Sequence, residues 1–380
     1  MTQPILKDYI DKMYYCMRCG FCRPVCPTLS QKDMDERYSP RGRILLMRGL
    51  GTGELAPSKG IADKIYLCAT CRNCYVKCPP GLEIDKIVEA ARFELVKAGV
   101  APPEAHRKIA AEIKAKNNPF GEPKEGRTSW LSPAGSLPEK ADVLYWAGCM
   151  ASYRSQDAAR ATVRILRTAG VDFTMLGKDE GCCGSVLLRT GQRELIENGY
   201  AKANVERIAA KGTKTLVTAC AGCYRTFKED YKATLGALPF EVLHVSEYLE
   251  RLMNDGRIVF SKEIPMKVTY HDPCHLGRHM GVYESPRNLV KSIPGVTLVE
   301  MARNRLDSRC CGAGGGLRSA YRDLSINASA DRLKLDALPT GADALVSPCP
   351  FCVLNFKDAA KTLGTKIEVL DLVELVSRAL

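Results

Sequence analysis

The chain has 380 residues, 46% hydrophobic and 26% charged, with a formal net charge of +12 and 18 cysteines. Its length allows two or three domains with separate cores, and its composition excludes a disordered chain. It offers no run of eighteen apolar residues to span a bilayer, and its start, MTQPILKDYIDKMYY, lacks the basic-then-apolar order of a secretory leader.

A cytoplasmic location is therefore expected, or attachment at the inner face of a membrane through a partner. There, so many thiols point to metal or redox chemistry rather than to disulfides. A cubane held by four thiolates carries about −2, so several clusters would cancel most of the positive excess. The basic balance then makes no case for nucleic acid.

Residues 1–98 hold two copies of C-x2-C-x2-C-x3-C-P, CMRCGFCRPVCP and CATCRNCYVKCP, offset by 52 residues at every cysteine. This is the bacterial ferredoxin run, in which three cysteines hold one 4Fe–4S cubane and the fourth crosses to the other. On that logic Cys16, Cys19, Cys22 and Cys78 hold one cubane, and Cys68, Cys71, Cys74 and Cys26 hold the second. Zinc knuckles more often sit across a longer gap, so zinc fits the pattern poorly. Between the runs, Ser39 reads as an N-cap with Pro40 at the first helical position. After Cys78, GLEIDKIVEAARFELVKAG reads as an amphipathic helix stopped by Gly99. The expectation is an α-helical two-cluster domain. Arg37, Arg41, Arg43 and Arg48 are expected to form a solvated face or a docking surface beside the cubanes.

Residues 99–140, including KNNPFGEPKEGRTSWLSP, are rich in Pro, Lys, Gly and Glu and read as a linker wrapping the surface. From 141 onward, β-rich apolar runs (ADVLYWAG, DFTML, TLVTA, KVTYHD, VTLVEM, ALVSP) alternate with helical stretches such as AARATVRILRTAG and RELIENGYAKANVERIAAKG. That pattern predicts α/β domains with mostly parallel sheets, making the whole chain an α+β multidomain protein. The ten remaining cysteines divide it at about residue 258. Cys149, Cys182, Cys183, Cys220 and Cys223 fall in 141–258; Cys274, Cys310, Cys311, Cys349 and Cys352 fall in 259–380. The offsets are 125, 128, 128, 129 and 129, the mark of a duplication reading C-x32-35-CC-x36-37-C-x2-C. Cys149, Cys220, Cys274 and Cys349 follow predicted strand ends, where open α/β sheets bind ligands.

A cubane needs one thiolate per iron, so five cysteines leave either one spare or a cluster of another kind, with a thiolate bridging two irons. A catalytic dithiol at Cys310–Cys311 is disfavoured, because neighbouring residues span a disulfide only with strain. In SRCCGAGGG, residues 308–316, the glycines are read as letting backbone approach a cluster and keeping one face open. The site at Cys310 and Cys311 is therefore expected to be the more accessible of the two. The GTGELA stretch at 51–56 follows a helix rather than a strand, and GAGGG lacks a phosphate-loop lysine. Neither is read as a nucleotide site.

The doubled motif, AGCMASY…GCCGS…ACAGCYRTFKEDY and HDPCHLGRHMGVYESP…RCCGAGGG…SPCPFC, resembles the catalytic subunit of heterodisulfide reductases. The N-terminal runs resemble the relay subunit of the same enzymes, so the order matches the fused form, across nearly the whole chain. The resemblance implies that each CCG half binds a non-cubane 4Fe–4S cluster through its five cysteines, and that the pair splits a disulfide into two thiols. It also implies partners, a flavoprotein or a membrane cytochrome b, and an oxygen-avoiding host. The N-terminal motifs are similar, too, to the iron–sulfur subunit of glycolate and D-lactate oxidases, which implies electron transfer alone for a flavin-dependent 2-hydroxyacid dehydrogenase. Both five-cysteine sets are complete here, which favours disulfide chemistry with Cys310 and Cys311 at its centre.

Disulfide reduction takes two protons, and His271, His275 and His279 flank Cys274. His275 is the candidate proton donor, with Asp272 expected to orient His271. The alternative is that these histidines hydrogen-bond near a cluster and tune it.

Overall fold

In the computed structural model, which describes residues 4–131 and 137–380, the two C-terminal halves repeat one topology. The first half forms β1 (Val143–Trp146), β2 (Phe173–Thr174), β3 (Thr215–Thr218) and β4 (Glu241–His244). They pair in parallel in the order β2-β1-β3-β4. The second forms β5 (Met266–Tyr270), β6 (Val296–Leu298), β7 (Ala344–Ser347) and β8 (Glu368–Asp371), in the order β6-β5-β7-β8. The central strands are largely buried; in β1, Leu144, Tyr145 and Trp146 are all fully buried. The edge strands β4 and β8 were not among the predicted runs, since each opens on an exposed glutamate in a short, mixed segment.

This strand order sets the site. The chain leaves β1 toward β2 on one side and returns to β3 on the other, so a crevice opens at the carboxyl ends of β1 and β3. Cys149 and Cys220 lie just past those ends, and Cys274 and Cys349 just past β5 and β7.

The halves are not independent. The helix Gln156–Thr168 of the first buries Ala159, Ile165 and Leu166, and packs on the helix Leu372–Ala379 of the second. One core cluster combines Tyr145 and Val217 with Tyr270 and Val346.

The N-terminal region is helical, as the capping signals predict. Ser39 Oγ accepts from the Gly42 amide at 2.9 Å, with Pro40 beginning the helix Pro40–Thr52. The helix Ile84–Lys97 ends just before Gly99, whose φ is +73°. Their apolar stripes meet around Ile44, Met47, Ile65, Ile87 and Val88. The stretch read as a surface linker is more structured than expected. It contains a helix, Glu104–Lys116, and a short turn at 124–128, and it buries His106, Ile113, Arg127 and Trp130. Residues 132–136 of that stretch lie outside the described residues.

Candidate metal centres

Eight cysteines border two small hollows in the helical region. Cys16, Cys19, Cys22 and Cys78 surround one, of about 20 Å³. Cys26, Cys68, Cys71 and Cys74 surround the other, also of about 20 Å³. Each fourth cysteine is thus brought to the other run's first three. Backbone amides point at the sulfurs: Thr70 N to Cys68 Sγ at 3.4 Å and Leu82 N to Cys78 Sγ at 3.5 Å. Soft donors with amides aimed at them suit an iron–sulfur cluster, whose sulfurs accept such bonds.

Nine of the other ten cysteines line one cavity of about 360 Å³ between the two halves, with Cys149, Cys182, Cys183, Cys220 and Cys223 on one wall and Cys274, Cys311, Cys349 and Cys352 on the other. Both CCG turns are built alike. Gly184 and Gly312 have φ near +80°, a conformation that favours glycine, and their amides donate at 3.3 Å to Cys182 Sγ and Cys310 Sγ. The pairs' carbonyls are held by Asn204, Tyr231 and Asn355. All eighteen thiols are free. Hydrogen bonds from Cys182 and Cys223 draw Cys183 down to about 6, and Cys310 draws Cys71 down to the same range. Such thiolates are ready metal ligands.

Cys310 points elsewhere. It contacts Cys274, Cys311 and Cys71, the last a cysteine of the helical region. The glycines after it line the cavity, but they do not leave the loop free: they also seat it on the second ferredoxin run. A Cβ on Gly314 would meet Ala69 O at 2.9 Å, and one on Gly315 would meet Cys68 O at 2.5 Å. Nor are Cys310 and Cys311 more accessible than their twins; they are 2% and 3% exposed, against 5% and 6% for Cys182 and Cys183.

His275 lines the cavity, and its Nε2 faces Arg225 Nη1 at 3.4 Å. Its ring stands edge-on to His279, which donates from Nε2 to Thr70 O at 3.0 Å. Burial, with the Arg225 charge, holds both imidazoles well below the ordinary histidine range. His271 is also buried, one of its ring nitrogens within 4.8 Å of the Cys311 and Cys352 sulfurs. Asp272 does not orient His271. It pairs with Arg287 at 2.6 and 2.9 Å and accepts from Arg305 N, because a buried carboxylate two residues past β5 is drawn to the nearest guanidinium.

Of the four arginines expected on a solvated face, Arg37 pairs with Asp35, Arg41 with Glu36, and Arg48 stacks on Tyr14. Arg43 departs from the expectation: it is buried and reaches the Cys26 sulfur. Sequence reasoning also passed over Arg92, Arg278 and the buried Arg127–Glu180 pair. The signal was present for two: Arg43 falls four residues before Met47, and Arg92 four after Val88, both on the apolar stripes of their helices.

The comparisons with known proteins agree with this geometry. Residues 12–82 match the 4Fe-4S dicluster domain, and 143–228 and 268–357 each match the cysteine-rich domain. The chain is 41% identical to a subunit of the dihydromethanophenazine:CoB–CoM heterodisulfide reductase of Methanosarcina acetivorans, over 96% of this chain and 93% of that one. It is 31% identical to a subunit of the fumarate reductase (CoM/CoB) of Methanothermobacter marburgensis, over 98% of this chain and 74% of that one. Against the EtfAB:quinone oxidoreductase of Syntrophomonas wolfei it is 30% identical, over 98% of this chain and 59% of that one. Among solved structures it resembles a hypothetical protein from Helicobacter pylori at a TM-score of 0.56 and 10% identity, covering 98% of this chain and 76% of that one, a likeness of fold. No helix among the described residues is long and apolar enough to cross a membrane. The chain belongs to the family of heterodisulfide reductase subunits that join a ferredoxin region to two cysteine-rich domains, and it is an iron–sulfur oxidoreductase component.

Proposed function

We propose that this chain reduces a disulfide to two thiols, with the chemistry in the cavity between its two CCG halves. The observation that carries the reading is that both complete five-cysteine sets converge there, nine of their sulfurs on one cavity and the tenth, Cys310, beside Cys71. Two 4Fe–4S cubanes at the ferredoxin cysteines and two non-cubane 4Fe–4S clusters at the CCG cysteines would, when bound, supply the two electrons that a disulfide takes up with two protons. The chain's own residues do the rest. The apolar side chains Ile109, Phe120 and Phe351 line the cavity and exclude water. Arg225 faces His275 Nε2, which places the imidazole proton on Nδ1, toward Gly222 of the facing half. That N–H is placed to donate a hydrogen bond to a leaving thiolate, which takes its proton from solvent.

Contact between Cys71 and Cys310 supports the second half as the point where electrons arrive. Partners consistent with this role are a flavoprotein or a membrane cytochrome b, with the chain on the cytoplasmic side.

The test is anaerobic purification with iron and sulfide analysis, followed by paramagnetic resonance with and without a heterodisulfide. About sixteen irons per chain and a disulfide-dependent signal are expected. Full iron with no response to any disulfide would instead leave electron transfer alone, as in a subunit serving a flavin-dependent 2-hydroxyacid dehydrogenase. Zinc without sulfide would sink both.

A further inference from the structure

Three arginines around the hollow of Cys26, Cys68, Cys71 and Cys74 are buried without a carboxylate partner. Arg43, 1% exposed, donates to Lys64 O, Leu67 O and Thr28 Oγ1, with Cys26 Sγ at 3.9 Å. Arg92, fully buried, donates to five carbonyls: Ile65, Tyr66, Cys68, Arg189 and Gly315. Glu89, three residues before it on the same helix, is taken by Arg189 at 2.9 Å. Arg278, 8% exposed, donates to Cys71 O at 2.8 Å and to Ser308 O, and its Nη2 has no partner.

Neutral carbonyls satisfy a guanidinium's protons but not its charge, and a buried unpaired charge is strongly unfavourable. The negative groups these three share are the thiolates of the hollow and, for Arg278, of Cys274 and Cys310 beside it. Asp85 also borders the hollow, but its ion contact is with His279, at 3.8 Å, and not with any of the three arginines. The first hollow is different. Of the basic residues that line it, Arg41 is paired with Glu36 at 2.5 Å, Lys77 is paired with Asp307 at 2.7 Å, and Arg18 is exposed, where solvent and salt screen its charge.

We infer that Arg43, Arg92 and Arg278 are built-in countercharges that raise the reduction potential of the cluster at Cys26, Cys68, Cys71 and Cys74 above that of the cluster at Cys16, Cys19, Cys22 and Cys78. The two ferredoxin sites are then made unequal by the surrounding charge, and an electron falls from the outer one to the one that touches the CCG halves. Net charge and hydrogen bonding around a cluster are the levers that set its potential. These are positioning and tuning residues; none of them touches substrate. The inference rests on the proposed assignment of cubanes to the two hollows.

Potentiometric titration of the full chain, followed by paramagnetic resonance, tests it on Arg43→Gln, Arg43→Lys, Arg92→Gln and Arg278→Gln. At the wild-type midpoint, R43Q should lower the reduced-to-oxidised ratio of one cubane about tenfold, or about 59 mV for one electron. R92Q and R278Q should move the same component downward, R43K should hold it near the wild-type value, and the other cubane should stay still. Loss of that cluster's iron in R43Q, with retention in R43K, supports the same conclusion. Unmoved midpoints at full iron, or equal shifts or equal iron loss in R43Q and R43K, would overturn it. A wild-type protein without cubane signals fails the assignment itself, before any variant is compared.

Discussion

Cys352 Sγ lies 3.1 Å from Cys311 Sγ, and in the other half Cys223 Sγ lies 3.2 Å from Cys183 Sγ. Both separations are far beyond the roughly 2.05 Å of a disulfide. The second cysteine of each CC pair is therefore held against the last cysteine of its motif, as two thiols waiting to share a metal. The duplication preserved a contact as well as a spacing.

Replacing Cys352 or Cys223 with alanine should accordingly cost one cluster each. Iron should fall from about sixteen to about twelve per chain, with the ferredoxin signals intact. Iron and sulfide analysis beside the resonance spectrum checks this, and unchanged iron in both variants would mean that these sulfurs are not ligands.

Gly315→Ala should loosen the joint between the halves and the helical region. Its Cβ would come within 2.5 Å of Cys68 O and 2.8 Å of Ala69 C, both backbone atoms, at a φ of +62°. Overpacking of this kind costs roughly 1–3 kcal/mol. Thermal melting should register the loss, and reduction of the CCG clusters by pre-reduced cubanes should slow in stopped-flow spectra.

Glu180→Ala should be more severe. Glu180 accepts from Ala147 N, Gly148 N and Arg127 Nη1 at 2.9–3.0 Å, and both members of the ion pair are buried. Removing the carboxylate leaves a buried cation beside Cys149 and two orphaned amides, a loss of about 3–5 kcal/mol. Denaturant midpoints of E180A against E180Q, which keeps acceptor capacity, separate the hydrogen bonds from the charge.

Acid should destabilise the protein through His106 and His244. Burial pushes each imidazole down to about 4 from 6.5. His106 donates from Nε2 to Gly316 O at 2.8 Å. Because the unfolded chain binds these protons first, stability is fully present above pH 6.5, falls as pH drops from there, and levels off below 4. The loss from pH 7 to 5 is about 2 kcal/mol per histidine. Unfolding midpoints of the wild type and His106→Gln across that range should differ by one histidine's share of the slope, since buried His271, His275 and His279 add to it in the same direction.

His275→Gln should lower disulfide turnover by about 10²–10⁴-fold while leaving iron content unchanged. Retained turnover with a shifted cluster potential would give His275 a tuning role in place of a hydrogen bond to the leaving thiolate.

Much of this site is legible in one dimension, because cysteine ligands of a cluster come at short, fixed spacings on single turns. The crossing of Cys26 and Cys78, the duplicated five-cysteine sets and the strand ends that carry them all follow from spacing and apolar runs. Arg43 and Arg92 show where that legibility stops. A charged residue on an apolar stripe reads as surface unless something buried can balance it, and that balance is assembled from distant segments.

The sequence by itself determined the three-part organisation, the identity of the thiols and the parallel α/β halves, since these depend on local periodicity and ligand spacing. Only the tertiary structure decided that the two halves share one cavity, that Asp272 serves Arg287 and that the glycines after Cys311 seat the loop on Cys68 and Ala69. Those are contacts between segments tens to hundreds of residues apart, set by packing and by the burial of charge, and no local pattern encodes them.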